Sequence, residues 1–107
     1  TNERCEACGQ ADIILCAGAI GTQLLDSESL AKLKPKLVAD VNAVQPYGVE
    51  DMDPGMDGDK IGDARGLGSC AIGDLKNLVE REILKRALEE QRFYDYNDAL
   101  LIARELR

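Results

Sequence analysis

The chain has no histidine and no tryptophan among its 107 residues, and only 4% of it is aromatic: Phe93, Tyr47, Tyr94 and Tyr96. Without His, neither a Ser/His/Asp nor a Cys/His catalytic set can be assembled. Four scattered rings offer no stacking platform for bases. Positive charge is also scarce: 13 Lys and Arg stand against 20 Asp and Glu, for a net charge of −7. That balance argues against nucleic acid or an anionic membrane surface as a partner. No run of 18 apolar residues occurs, and the opening residues TNERCEACGQAD are too polar for a signal peptide. A soluble, cytoplasmic protein is the expectation. The chain opens on Thr1 rather than Met, so a processed, cleaved or truncated amino end is also expected.

Three Gly-rich phrases, each following an apolar run, organise what is present: DIILCAGAIG (Asp12 to Gly21), KLVADVNAVQPYG (Lys36 to Gly48) and RGLGSCAIGDLK (Arg65 to Lys76). They read as three strand ends. Open parallel α/β sheets bind ligands at the carboxyl ends of their strands, where small residues let the backbone come close to a cofactor. Ala11 to Ala17 is a short apolar run rich in Ile that does not alternate, which predicts a buried strand, covered on both faces. Asp26 is placed to cap a short helix running to Lys34, which Pro35 stops. Lys36 to Val41 is the next strand. Asn42 to Gly68 holds six of the ten Gly and two of the three Pro, a loop composition. Gly66 to Ile72 predicts a last short strand.

From Asp74 to about Arg92, Leu75, Leu78, Val79, Ile83, Ala87 and Leu88 recur at helical spacing. A second helix, Tyr96 to Leu106, is capped by Asp95 with Asp98 three residues later, and turns Leu100, Leu101 and Leu106 inward. The order strand, helix, strand, loop, strand, helix, helix is the second half of a doubly wound, Rossmann-like α/β sheet with carboxy-terminal helices. One partial domain over 1–107 is expected, the half with the G-x-G-x-x-G turn being absent from it. Such a half leaves one side of its first strand unpaired and apolar, so association is expected with the missing amino-terminal half or with another copy, as a homo-oligomer.

Two acidic or sulfur-bearing motifs carry less. Cys5 and Cys8 form a CxxC, but a redox pair of the thioredoxin type follows a strand and opens a helix, whereas this pair precedes the strand. Zinc would need Cys16 and Cys70 to complete the set, since no His is available. Four reduced, mostly buried thiols and no metal are the expectation. Read from Asp53 as a calcium loop, DMDPGMDGDKIGD puts Gly55 third, displaces the apolar residue to Ile61, and has Ala64 twelfth where a bidentate Glu is required.

The phrases CAGAIGTQLL, KLVADVNAVQPYGVEDMD and GLGSCAIGDLK resemble, in order and spacing, the carboxy-terminal half of bacterial NAD(P)-dependent methylene-tetrahydromethanopterin dehydrogenases. The resemblance runs from about Glu6 to the last helix. It implies an enzyme with a pterin-binding region and a Rossmann-type NAD or NADP domain, of which this chain is the distal half, inactive alone. The implied reaction transfers hydride from the methylene carbon of the pterin substrate to NAD or NADP in formaldehyde oxidation. That carbon lies between two nitrogens whose lone pairs stabilise the resulting cation, so orientation is the main catalytic requirement.

By this resemblance Lys76 falls on the Lys of an IGGLK-like motif. An ammonium repels a developing cation, so Lys76 is expected to position a carbonyl or acidic group of pterin or cofactor. Ala17, Gly18, Ala19 and Ile20 are expected to pass close to the cofactor. Asn42, and less directly Gln45, are expected to hydrogen-bond its nicotinamide side. Asp74 departs from the motif, replacing a second Gly and bringing a carboxylate near Lys76. Two other readings stand beside this one: a half-Rossmann binding or assembly module without catalysis, and another pterin or amino-acid type dehydrogenase on the same sheet.

Overall fold

The computed structural model describes residues 2–106. Eight elements follow one another: α1 (Asn2–Cys8), β1 (Ile13–Cys16), α2 (Ser27–Leu33), β2 (Leu37–Asp40), β3 (Asp57–Ile61), β4 (Ala64–Leu67), α3 (Ser69–Glu89) and α4 (Tyr96–Leu106). The strands form a four-stranded sheet in the order β1-β2-β4-β3. β1, β2 and β4 run parallel, and β3 joins β4 antiparallel. The expected architecture, a mostly parallel α/β half-sheet followed by helices, is what the structure has. Two compact units divide the chain, Thr1–Ile72 and Gly73–Arg107.

The local signals of α2 act as the sequence implies. Asp26 Oδ1 accepts the N–H of Ser29 at 2.7 Å, which satisfies one of the helix's free first-turn donors and holds the carboxyl below its usual range. Lys34 closes the helix in the left-handed region (φ 49°), and Pro35 prevents its continuation. Leu30 from this helix then packs with Ile14 and Cys16 of β1, Val38 of β2, and Ile61 and Ala64 of the hairpin. Leu25, Val49 and Met52, from the loops, complete that core.

Several expectations need correction. The stretch Asn42 to Gly68 is no mere loop: it contains the β3–β4 hairpin, closed by Gly62 and Asp63, with Gly62 at φ 58° where a two-residue turn favours Gly. Gly58 (φ 90°) sits at an irregularity in the ladder between Asp57 and Asp59. Third in the parallel set is accordingly Ala64–Leu67 rather than Gly66 to Ile72, because Ser69–Ile72 is already helix. Gly73 lies inside α3 at a modest propensity cost instead of preceding it, and the helix ends at Glu89 rather than Arg92.

Neither is β1 buried on both faces. Its residues alternate: Ile14 and Cys16 are buried, but Ile13 and Leu15 are 65% and 63% exposed. The strand is the sheet's edge, and the helices that contribute Cys8 and Leu30 to the core cover only the face of Ile14 and Cys16. In the helical unit, Ile102 is the buried residue of α4, while Leu100, Leu101 and Leu106 are exposed. Of the cysteines only Cys16 is buried; Cys5 and Cys8 are half-buried and Cys70 is exposed, against the expectation of mostly buried thiols. α1 has no counterpart among the sequence expectations; it donates from Arg4 Nη1 to the Leu24 carbonyl at 3.2 Å.

Candidate functional site

Parallel pairing brings the carboxyl ends of three strands level. Cys16 lies opposite Asp40, and Ala39 opposite Leu67, so the chain leaves β1, β2 and β4 at one edge of the sheet. The loop after β1 carries Ala17, Gly18, Ala19 and Ile20; the loop after β2 carries Asn42 and Gln45. Val41 N–H donates to the Cys16 carbonyl at 3.1 Å, and the N–H groups of Leu24 and Leu25 both donate to the Gly48 carbonyl, at 2.7 and 3.0 Å. Six expected site residues are thus gathered on two loops laced together.

Asp40 organises the second loop from inside. It is 1% exposed, its Oδ1 accepts the N–H of Asn42 and its Oδ2 that of Val49, both at 2.9 Å. Gly48 packs on the carboxylate so closely that an added Cβ would fall 3.0 Å from Oδ1. The Gln45–Pro46 peptide bond within this loop is cis. Sequence reasoning passed over Asp40 as part of an apolar strand. The signal was there: a lone carboxylate at the end of a buried run needs partners of its own.

Asn42 is buried, and its side chain is a staple of the loop. Its Oδ1 accepts the Val44 N–H at 3.0 Å and its Nδ2 donates to the Pro46 carbonyl at 3.4 Å. An amide offers four hydrogen-bonding positions, so one N–H and one lone pair have no partner among the described residues. Gln45 is exposed and lines a shallow depression of about 450 Å³ with Gln23, Pro46 and Tyr47. At Gly18 an added Cβ would fall 2.5 Å from Leu24 Cδ1, the far end of a side chain that can turn aside. Ala17 and Ala19 are exposed, as are Ile20 (76%) and, on the neighbouring loop, Val41 and Val44. These apolar groups are left uncovered at the carboxyl ends of β1 and β2.

Phosphate finds nothing comparable. Neither loop, from Ala17 to Leu25 or from Val41 to Val49, contains a Lys or Arg. At the third strand end the N-terminus of α3 receives a group from the chain itself, the Pro54 carbonyl, which accepts the Cys70 N–H at 2.9 Å. Gly68 makes this approach feasible: an added Cβ would collide with the backbone of Asp53 and Pro54. Beside it, Ser69 Oγ is buried without a hydrogen-bond partner among the described residues. Cys16, behind the first loop, is no nucleophile: burial, then the charges of Asp40 and Cys8, push its thiol up to about 11. Among the described residues no group of three or more His, Cys, Asp or Glu could hold a metal ion.

Lys76 belongs to the second unit. It is exposed on α3, and its Nζ stands 3.6 Å from Glu80 Oε1 one turn on. Asp74, also exposed, precedes it by half a turn.

No family model matches the chain. Comparison with curated proteins finds 35% identity over 101 residues with the NAD(P)-dependent methylenetetrahydromethanopterin dehydrogenase of Methylorubrum extorquens. The chain resembles part of that dehydrogenase. The match takes in 90% of this chain and 34% of the relative. The bifunctional protein MdtA of the same organism is 30% identical over 105 residues, taking in 96% of this chain and 36% of the relative. The chain therefore spans about a third of the length of the curated relatives it matches. No helix among the described residues is long and apolar enough to cross a membrane.

Proposed function

We propose that these residues form the distal part of the dinucleotide domain of a methylenetetrahydromethanopterin dehydrogenase, with NAD or NADP as hydride acceptor. One observation carries the reading: the level carboxyl ends of β1 and β2, with Ala17, Gly18, Ala19, Ile20, Asn42 and Gln45 on their laced loops. The apolar, uncharged loops fit the nicotinamide end of a dinucleotide and not its phosphates. When bound, the nicotinamide ring supplies the hydride acceptor. This chain's part is orientation: Ile20 and Val44 against a ring face and the remaining N–H of Asn42 toward a carboxamide. Lys76 is a positioning residue that holds a carbonyl or acidic group of the pterin or cofactor.

The rest of the domain is proposed to pair along β1, the sheet edge whose Ile13 and Leu15 are exposed. Pairing there would satisfy the backbone groups that an open edge strand otherwise offers to any passing strand, and an element of the added half lying on that face would cover Ile13 and Leu15. The same edge favours a second reading, an assembly module in which another copy pairs there without catalysis.

One assay separates them. The intact natural polypeptide carrying these residues is incubated with methylene-tetrahydromethanopterin and either NAD or NADP, and the absorbance of the reduced nicotinamide is followed. The dehydrogenase reading expects turnover with one of the two, none from residues 1–107 alone, and about a tenfold fall in kcat/KM for Lys76→Ala with an unchanged thermal midpoint. No turnover with either dinucleotide leaves the assembly module.

A further inference from the structure

Asp40 is the one formal charge in the segments that build the strand-end site. Neither Cys16 to Leu25 nor Val41 to Val49 contains an Asp, Glu, Lys or Arg. A carboxylate is rarely this buried without an opposite charge beside it. Asp40 is 1% exposed, yet it enters no ion pair among the described residues.

What it has instead is two backbone donors. Oδ1 takes the N–H of Asn42 and Oδ2 that of Val49, both at 2.9 Å, so both oxygens act as acceptors, as those of an ionised carboxyl do. Two N–H dipoles stabilise the charge but do not cancel it. Its register partner on β1 is Cys16, a neutral thiol, and Gly48 closes over the carboxylate, where an added Cβ would lie 3.0 Å from Oδ1 and 3.2 Å from Oδ2. A charge shut away from water in this manner is screened little and acts at longer range than an exposed one.

We propose, on the dinucleotide reading above, that Asp40 is a specificity-determining residue that makes the strand-end site prefer the oxidised, cationic nicotinamide to the reduced, neutral one. Buried as it is, Asp40 acts through its field and not by contact. Asn42, directed at the carboxamide in that reading, is two residues along the chain, a span of at most about 7 Å. A ring held by Asn42 therefore lies within the carboxylate's field, and no Lys or Arg of the two loops opposes it. The field lowers the energy of a cationic ring and leaves a neutral ring almost unaffected, which favours uptake of the hydride acceptor and release of its reduced product.

The test uses the intact natural polypeptide without pterin, with NAD and NADH, then NADP and NADPH, as probes and calorimetry as the readout. The unaltered protein is expected to bind the oxidised form of its dinucleotide at least about threefold tighter than the reduced form. Asp40→Asn keeps the size of the side chain and removes its charge, and should lower that ratio by at least about threefold whatever it does to the absolute affinities. A carboxylate that served only to brace the loop would, on removal, weaken both forms by the same factor. An unchanged ratio therefore overturns the proposal. So does equal or tighter binding of the reduced form by the unaltered protein, a result that stands even where Asp40→Asn fails to fold. Binding of neither form overturns the dinucleotide reading and the role of Asp40 together, whereas binding of both with a ratio indifferent to Asp40 overturns that role alone.

Discussion

In Thr1–Ile72, side chains from α2, all four strands and two loops meet in one buried cluster with Cys8 of α1 packed against it, whereas in Gly73–Arg107 α3 and α4 each bury one, Val79 and Ile102. Leu84, Leu88, Phe93 and Tyr96 of the second unit are 67%, 91%, 91% and 81% exposed. What orders the helical unit is local and polar. Asp95 Oδ1 accepts the N–H groups of Asn97 and Asp98, and Asp98 Oδ2 accepts that of Asp95 in return. Arg92 donates to Asp98 and lies over the Tyr94 ring, and Arg86 reaches both Glu82 and Glu105. Burial is worth about 25 cal/mol per Å² of apolar surface, while exposed ion pairs contribute about 0–1 kcal/mol each. The two regions should therefore respond to mutation on different scales.

The largest effect is expected in the sheet unit, at a position with no side chain. Gly68→Ala drives a Cβ into the Asp53–Pro54 backbone and should destabilise by about 3 kcal/mol. Thermal unfolding monitored by circular dichroism checks it, and a shift no larger than that of an exposed helix substitution would erase the contrast. Next comes Asp40→Ala, which strands the buried N–H groups of Asn42 and Val49 and should cost about 2–3 kcal/mol. Hydrogen exchange should then accelerate over Asn42 to Val49 before it does in β4.

A smaller response is expected from the helical unit. Asp95→Ala removes a cap for about 1 kcal/mol, read as local fraying of α4 in hydrogen exchange while the sheet unit is unchanged. Smallest is the response of Asp98 to pH. Its hydrogen bond from Arg92, then that from the Asp95 N–H, lower its carboxyl to about 2. A depressed carboxyl favours the folded form fully above its ordinary value near 4, and that contribution is lost as pH falls toward about 2. The unaltered chain is expected to lose α4 helicity between pH 5 and pH 2, and Asp98→Asn should reduce that difference, measured by the α4 amide signals.

How much was legible follows from where the signal resided. The caps Asp26 and Asp95, the Pro35 stop and the apolar runs of β1 and β2 act within a few residues, and each appears where its local chemistry implies. β3 was hidden because it has the pattern DGDKI with a single buried side chain, Ile61; only backbone bonds to β4 make it a strand. Asp40 was hidden for a related reason, since its partners Asn42 and Val49 lie beyond the strand, on the loop it folds around itself. Ala17 to Ile20, Asn42 and Gln45 were readable as strand-end residues, and the parallel register brought them to one edge.

Elements whose causes are short-range could be read from the chain alone: the capped helices α2 and α4 and the apolar strands β1 and β2. The chain also determined the chemistry that is excluded, through the missing His and the shortage of positive charge. Tertiary structure alone decided which strand faces stay open, that Gly68 and Gly48 must lack a Cβ, and that Asp40 is buried. Those facts depend on residues far apart in the chain arriving within a few ångströms of each other. Packing at that range is fixed by the whole set of contacts at once, and no window of neighbouring residues contains it.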